Sequence, residues 1–255
     1  MSPPEQAFVA HPVGDLYQAM GGPRDRQLRY GEGFTITERR DGFAFGQSPD
    51  AGHRGWLLEA AVLPEAERPA PTHWVSARQT HAYGEPDFKA PERAALAHLS
   101  KLAVSGQEGR FSQTEIGWVP TAHLSDAKAS DPVAVAELYL GVPYLWGGNS
   151  IWGVDCSGLI HAALLACGYA CPSDSGPQEA GLGRTLPTGT PPERGDLMFW
   201  KGHVAWVVDA STLLHANVHH MAVAYEPTEA AIARIEAQGD GPVTAHKRLG
   251  DCDER

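Results

Sequence analysis

The sequence predicts an α+β protein in which two small β-barrels precede a domain that mixes helices with a sheet. Three observations predict this. The first half breaks into short runs of Gly, Thr, aromatic and β-branched residues separated by turn signals. The second half carries a helical apolar pattern directly behind a glycine-rich loop. Closely spaced strand-like runs follow that helix. At 255 residues the chain is too long for one ordinary core and is expected to form two or three units.

Residues 34–37 and 43–45 read as strands split by the turn Arg40-Asp41-Gly42. Such short, closely spaced strands suggest a small barrel. Two stretches look alike: Gly55-Trp56-Leu57-Leu58 with Leu63, and Gly117-Trp118-Val119-Pro120 with Leu124. A Gly-Trp pair before a final strand resembles bacterial SH3-like domains. Tyr30-Gly31-Glu32, Gly52-His53-Arg54-Gly55-Trp56 and Gly117-Trp118 carry that resemblance, over residues 12–63 and 72–125. The second copy is looser, and its insert at 91–103 reads as a short helix. Residues 64–71 are rich in Pro, Glu and Ala, and a second composition break falls at 125–130. The expected domains are therefore 1–67, 68–127 and 128–255.

In the last of these, Asp131 can cap a helix with Pro132 in its first turn, and Gly141 ends it. Next come Tyr144-Leu145-Trp146-Gly147-Gly148 and Gly153-Val154-Asp155-Cys156-Ser157-Gly158. The glycines mark a tight loop that lets backbone approach a ligand. Leu159, Ile160, Ala163, Leu164 and Cys167 recur at helical spacing, and Gly168 fits just past the helix end. Cys156 then sits in the first turn of a buried helix, where free N–H groups and the dipole favour a thiolate.

A thiolate needs a proton partner. Residues 195–200, 202–208 and 213–216 read as consecutive strands. His203, at a strand start, suits a general base facing the nucleophile's helix, and His215 could orient it through a ring nitrogen. For both rings to face one way, paired residue numbers must have an even sum, and the connection needs a bulge or an odd number of unpaired residues. Taken singly, a cysteine in an apolar helix is a core residue and a histidine on a strand is a satisfied polar group. Together with the glycine-rich lead-in and the Gly195-Asp196 strand, they point to nucleophilic catalysis.

A formal charge of −11 argues against nucleic-acid or anionic-membrane partners. No stretch approaches the roughly 20 apolar residues that span a bilayer. The start MSPPEQAFVA lacks the basic run and apolar segment of a signal peptide, so a cytoplasmic location is expected. The cysteines are Cys156, Cys167, Cys171 and Cys252. A reducing compartment argues against disulfides, and Cys167 and Cys171 have no second ligand pair for zinc. Cys167 reads as a small core residue. Residues 229–237 read as an extra helix followed by a polar tail, and no function is assigned to residues 226–255.

Tyr144 to Gly148, Asp155-Cys156-Ser157-Gly158, Gly195-Asp196-Leu197, Gly202-His203-Val204-Ala205 and Leu214-His215-Ala216, in this order, resemble the NlpC/p60 peptidases. The resemblance covers residues 131–225. It implies a papain-like α+β fold with a Cys156, His203 and His215 triad. It further implies cleavage of peptidoglycan stem peptides, commonly between γ-D-glutamate and a diamino acid such as diaminopimelate. SH3-like domains ahead of such a domain resemble a narrower group that trims freed muropeptides with an N-terminal L-alanine. In that group the first SH3-like domain closes one end of the cleft, and the tyrosine its turn contributes is replaced here by His53. Trp146, Asp155, Ser157, Asp174 and Ser175 match cleft positions around the substrate's N-terminus. Asp155 can pair with a free α-ammonium or simply cap the helix; Ser157 fits helix structure better than ligand binding.

The reaction expected is acyl transfer through a thioacyl enzyme. The Cys156 N–H is an oxyanion donor, and no metal or organic cofactor is required. Two other readings stay open: a non-catalytic wall- or peptide-binding protein, and an acyltransferase or amidase on the same fold.

Overall fold

The computed structural model describes residues 3–49 and 52–250, which leaves Cys252 and the end of the expected polar tail outside the described residues. The chain divides into two compact units. One runs up to Ala127 and takes in Asn149–Trp152; the other comprises Lys128–Gly148 and the chain from Gly153 onward.

The first unit is almost entirely antiparallel sheet. Seven strands between Glu5 and Pro64 form one sheet, and strands between His73 and Ser125 form a five-stranded and a three-stranded sheet. The expected turn closes the hairpin of Gly33–Arg40 with Phe43–Gln47, pairing Arg40 with Phe43. Asp41 and Gly42 have φ of 51° and 78°. Both lie in the left-handed region that a two-residue hairpin turn of this kind demands and that Asp-Gly tolerates.

One expectation is corrected here. Residues 91–103 form strands, Glu92–Ala97 and Lys101–Leu102, and not a helix. The alanines favour a helix locally, but pairing of Leu96 with Thr80 and complete burial of Leu96 outweigh that preference. Within the first unit the two expected copies share a hydrophobic cluster. Phe8 and Tyr30 of the first copy pack with Val75, Ala82, Leu96, Leu102 and Val119 of the second in one core. The link between the copies is docked: Arg68 Nη2 donates to the Gly31 carbonyl at 3.0 Å, and its guanidinium lies 4.1 Å from the Phe8 ring centre.

Among the described residues, the second unit mixes four helices with a six-stranded antiparallel sheet. The helices are α1 (Pro132–Glu137), α2 (Cys156–Ala166), α3 (Ser175–Gly181) and α4 (Thr228–Ala237). The strands lie in the order Arg184–Thr185, Ala245–Arg248, Leu197–Trp200, His203–Asp209, Thr212–Asn217 and Ala222–Pro227. Asp131 caps α1 as its sequence suggests, accepting from the amides of Val133 and Ala134 at 2.9 and 3.2 Å.

Side chains alternate faces along a strand. Val204, Trp206, Leu214 and Ala216 on one face are completely buried, and α1 and α2 lie against these strands. On the other face Met198, Trp200, Ala205, Val207 and Leu213 pack with Ala231 and Ile235 of α4. Burying a side chain such as Ile235 contributes about 1.5–3 kcal/mol, so α4 is anchored to the sheet. Among the described residues no helix is long and apolar enough to cross a membrane.

Candidate active site

The loop before α2 is packed too tightly for side chains. A Cβ on Gly158 would lie 2.5 Å from the Gly148 carbonyl oxygen, so the first turn of α2 presses against the loop. Asp155 is the N-cap and is 5% exposed. Its Oδ1 accepts from the Gly158 amide at 2.7 Å and the Ser157 hydroxyl at 2.9 Å, and its Oδ2 accepts from the Gly147 amide at 3.0 Å. One carboxylate thus fixes both the loop and the helix start. Cys156 is the first helical residue, where the free amides and the positive end of the helix dipole lie. Its Sγ donates to the Gly202 carbonyl at 3.9 Å, against the turn that leads into the His203 strand.

The next hairpin sets the histidines. Trp206 pairs with Leu214 and Val207 with Leu213, while Asp209 pairs with Thr212, so a bulge at Val208 takes up one extra residue. The pairs on the strand side of the bulge have even sums. His203 and His215 therefore share a face, and His203 Nε2 lies 2.8 Å from His215 Nδ1. That face is the one α4 covers, because it also carries Ala205, Val207 and Leu213. Cys156 meets the turn at Gly202 that leads into this strand, and Cys156 and His203 line one cleft.

The chain of contacts continues. His215 Nε2 lies 2.9 Å from Glu226 Oε2. Arg234 of α4 donates from Nε to Glu226 Oε1 at 2.8 Å and from Nη2 to Oε2 at 2.7 Å. Burial drives the His203 ring down from 6.5 to about 3, helped by positive charge at His215 and Arg234 and opposed by Glu226. His215 is also lowered by burial, against the pull of Glu226. Burial alone would raise Glu226, but its hydrogen bonds from Arg234 and His215 win and hold the carboxyl well below its ordinary range.

A cleft opens over this group, lined by Tyr144, Trp146, Cys156, His203 and Arg234 among others. Trp146 is 71% exposed on its wall. Of the other expected binding residues, Asp155 and Ser157 flank Cys156 and are buried in the helix start. Asp174 is exposed at the N-cap of α3, and Ser175 is the first residue of that helix. His53 belongs to the first unit, with Nδ1 3.9 Å from Asp25 Oδ2. Among the described residues no group of three or more His, Cys, Asp or Glu is placed to hold a metal ion.

Three residues escaped the sequence reading. Glu226 and Arg234 join the histidine pair, yet a carboxylate at a strand end and an arginine on a helix read as solvated charges. The available signal was alternation: Glu226 pairs with Leu213, two residues from His215, so it shares that face. Gln178 is completely buried, and its Nε2 donates to the carbonyls of Ser157 at 2.9 Å and Pro172 at 2.8 Å, which ties the segment before α3 to α2.

Comparison with known proteins agrees with this geometry. Residues 141–235 match the NlpC/P60 family, and residues 16–62 match the bacterial dipeptidyl-peptidase Sh3 domain. The chain is 38% identical over 186 residues to a gamma-D-glutamyl-L-lysine dipeptidyl-peptidase of Bacillus subtilis (strain 168), covering 65% of this chain and 60% of that protein. It is 33% identical over 132 residues to the protein of the same name from Bacillus cereus (strain ATCC 10987 / NRS 248), covering 49% and 37%. The matches thus span less than two thirds of either relative. The crystal structure of an NlpC/P60 family protein from Bacillus cereus ATCC 10987 shares the fold, with a TM-score of 0.81 at 18% identity over 96% of this chain and 99% of that one. The chain therefore carries an NlpC/P60 family domain at residues 141–235 and a bacterial dipeptidyl-peptidase Sh3 domain at residues 16–62.

Proposed function

We propose that this protein is a cysteine peptidase that hydrolyses peptidoglycan stem peptides. The observation that carries the reading is the meeting of Cys156, at a helix N-terminus, with the turn at Gly202 that leads directly into the bonded pair His203 and His215. Cys156 Sγ attacks the scissile carbonyl carbon as its proton passes to His203. The Cys156 amide, at the helix start, donates to the developing oxyanion. The C–N bond breaks, and His203 returns the proton to the leaving amine. Water, deprotonated by His203, then hydrolyses the thioester and restores the thiol.

The bond proposed is that between γ-D-glutamate and the diamino acid, in freed peptides that keep an N-terminal L-alanine. The names of the two Bacillus relatives support that choice. Trp146 offers an apolar wall for the short peptide, and Asp155, beside the nucleophile in the chain, offers a carboxylate for the α-ammonium. Work on such freed peptides belongs to muropeptide recycling in the cytoplasm.

The test is mass spectrometry of products from L-Ala-γ-D-Glu-diaminopimelate, the corresponding lysine peptide, their N-acetylated forms and purified sacculi. Release of the L-Ala-γ-D-Glu dipeptide from the free-amine peptides, blocked by iodoacetamide, is expected. Equal digestion of sacculi would refute the restriction to freed peptides. No hydrolysis of any member would refute the peptidase.

A further inference from the structure

We infer that Glu226 and Arg234 are positioning residues, which set the direction of the hydrogen bonds through His215 and His203 and so decide which nitrogen of His203 is presented to Cys156. The inference rests on the peptidase reading only for the roles of Cys156 and His203. An ionised carboxylate can only accept. Across the 2.9 Å contact His215 Nε2 must therefore carry the proton and donate to Glu226 Oε2. A neutral imidazole has one N–H, so His215 Nδ1 is left with a lone pair. That lone pair accepts from His203 Nε2 at 2.8 Å. His203 then holds its proton on Nε2, and Nδ1 is the basic nitrogen available to the thiol.

Arg234 makes this arrangement definite. It grips both oxygens of Glu226, so the carboxylate cannot turn away from His215. Its charge also balances Glu226, so the carboxylate does not draw a second proton onto His215. A doubly protonated His215 would donate from Nδ1, force His203 Nε2 to accept, and leave an N–H facing the sulfur. The directions of titration agree, since burial holds His215 towards its neutral form and Arg234 and His215 together keep Glu226 ionised despite burial. The other titratable or charged groups near this chain are Cys156 on α2, Lys201 in the preceding turn, His220 beyond the His215 strand and Asp240 just past α4. Arg234 also lines the cleft, so α4 belongs to the catalytic apparatus as well as to the core.

The experiment separates direction from mere support. The double variant Glu226→Lys with Arg234→Glu keeps an ion pair at this position but replaces an acceptor with a donor. A structural role predicts that the swap restores function. The positioning role predicts that kcat/KM falls by ~10²–10⁴ with KM little changed, as inverting a catalytic histidine's tautomer does elsewhere. Nitrogen-15 NMR of the histidine rings, in a Cys156→Ala background, should show His203 and His215 protonated on Nε2 without the swap and on Nδ1 with it. Should the swapped protein fail to fold, Glu226→Gln decides the matter: it retains an acceptor oxygen without forcing the direction, and should give a mixture of tautomers at His215. A His215 protonated on Nδ1 in the protein bearing Glu226, or a swapped enzyme as active as wild type, overturns the inference. An unswapped protein inert to every stem peptide would instead refute the peptidase reading, and the ring tautomers would still decide this one.

Discussion

His203 and His215 touch through Nε2 and Nδ1 at 2.8 Å, twelve residues apart in the chain, because one strand carries a single extra residue. The bulge at Val208 lets the hairpin close on Asp209 and Thr212 while Val207 stays opposite Leu213. Both odd-numbered histidines thereby face the same side, and Glu226 on the next strand joins them.

Replacing Cys156 with alanine should abolish hydrolysis and leave the fold intact. The side chain is small and lies at a helix start, where alanine costs about 1 kcal/mol or less. Peptide turnover and a thermal melt followed by circular dichroism check the two halves of this statement. Iodoacetamide should label Cys156, which lines the cleft, faster than the buried Cys167 and Cys171. Peptide mapping of the labelled protein reads that difference.

Asp155→Ala and Asp155→Asn should part company. Alanine removes the acceptor for the amides of Gly147 and Gly158 and for the Ser157 hydroxyl. Loss of such a cap costs ~0.5–2 kcal/mol, with a further penalty for buried donors left unpaired. Asparagine retains one carbonyl oxygen for the cap but loses the charge. It should melt between Asp155→Ala and wild type, because its Nδ2 cannot accept from the Gly147 amide, while losing discrimination between free-amine and N-acetylated peptides, read as the ratio of their kcat/KM values.

Stability should fall as the solution is acidified from neutrality. His203 is lowered from 6.5 to about 3 on folding. Between those values the unfolded chain binds a proton that the folded chain refuses, so the contribution is complete above pH 6.5 and is lost as pH falls towards 3. The His203→Gln variant should therefore lose less stability between pH 7 and 5, by on the order of 1 kcal/mol. Urea midpoints at each pH measure it. His98 is likewise lowered to about 3 by burial and the Arg29 charge, so the difference between the two proteins is the quantity that isolates His203.

Gly158→Ala should destabilise the second unit by ~1–3 kcal/mol, since its Cβ would meet the Gly148 carbonyl at 2.5 Å. Gly176→Ala on α3 meets nothing within 4 Å and serves as the control. Chemical denaturation of the two variants gives the comparison.

The sequence was legible where local chemistry decides the outcome. Asp131, Asp155 and Gly168 mark helix ends by capping and left-handed geometry, and those ends are found there, whereas α1 stops at Glu137, short of the expected Gly141. The parity argument for His203 and His215 needed only the alternation of strands, and the bulge it required is present. It does not say that α4 packs on that face, because periodicity does not say which of two faces a helix will take. Residues 91–103 were misread because the pairing of Leu96 with Thr80 spans a distance that no local propensity reports. Glu226 and Arg234 were passed over for the same kind of reason: their importance lies in what they touch, and each alone is an ordinary surface charge.

Phe8 and Tyr30 meet edge to face, with ring centroids 6.2 Å apart, inside a core whose other members come from the second copy. The two N-terminal copies are therefore a single cassette for protein engineering. A graft that transplants residues 1–67 alone carries two aromatic rings with no core to enter, and the truncated recipient exposes Val75, Leu96 and Val119 to water. Chimaeras with related enzymes should be joined near residue 127, where one compact unit gives way to the next, and not at the proline-rich link that the eye picks out first.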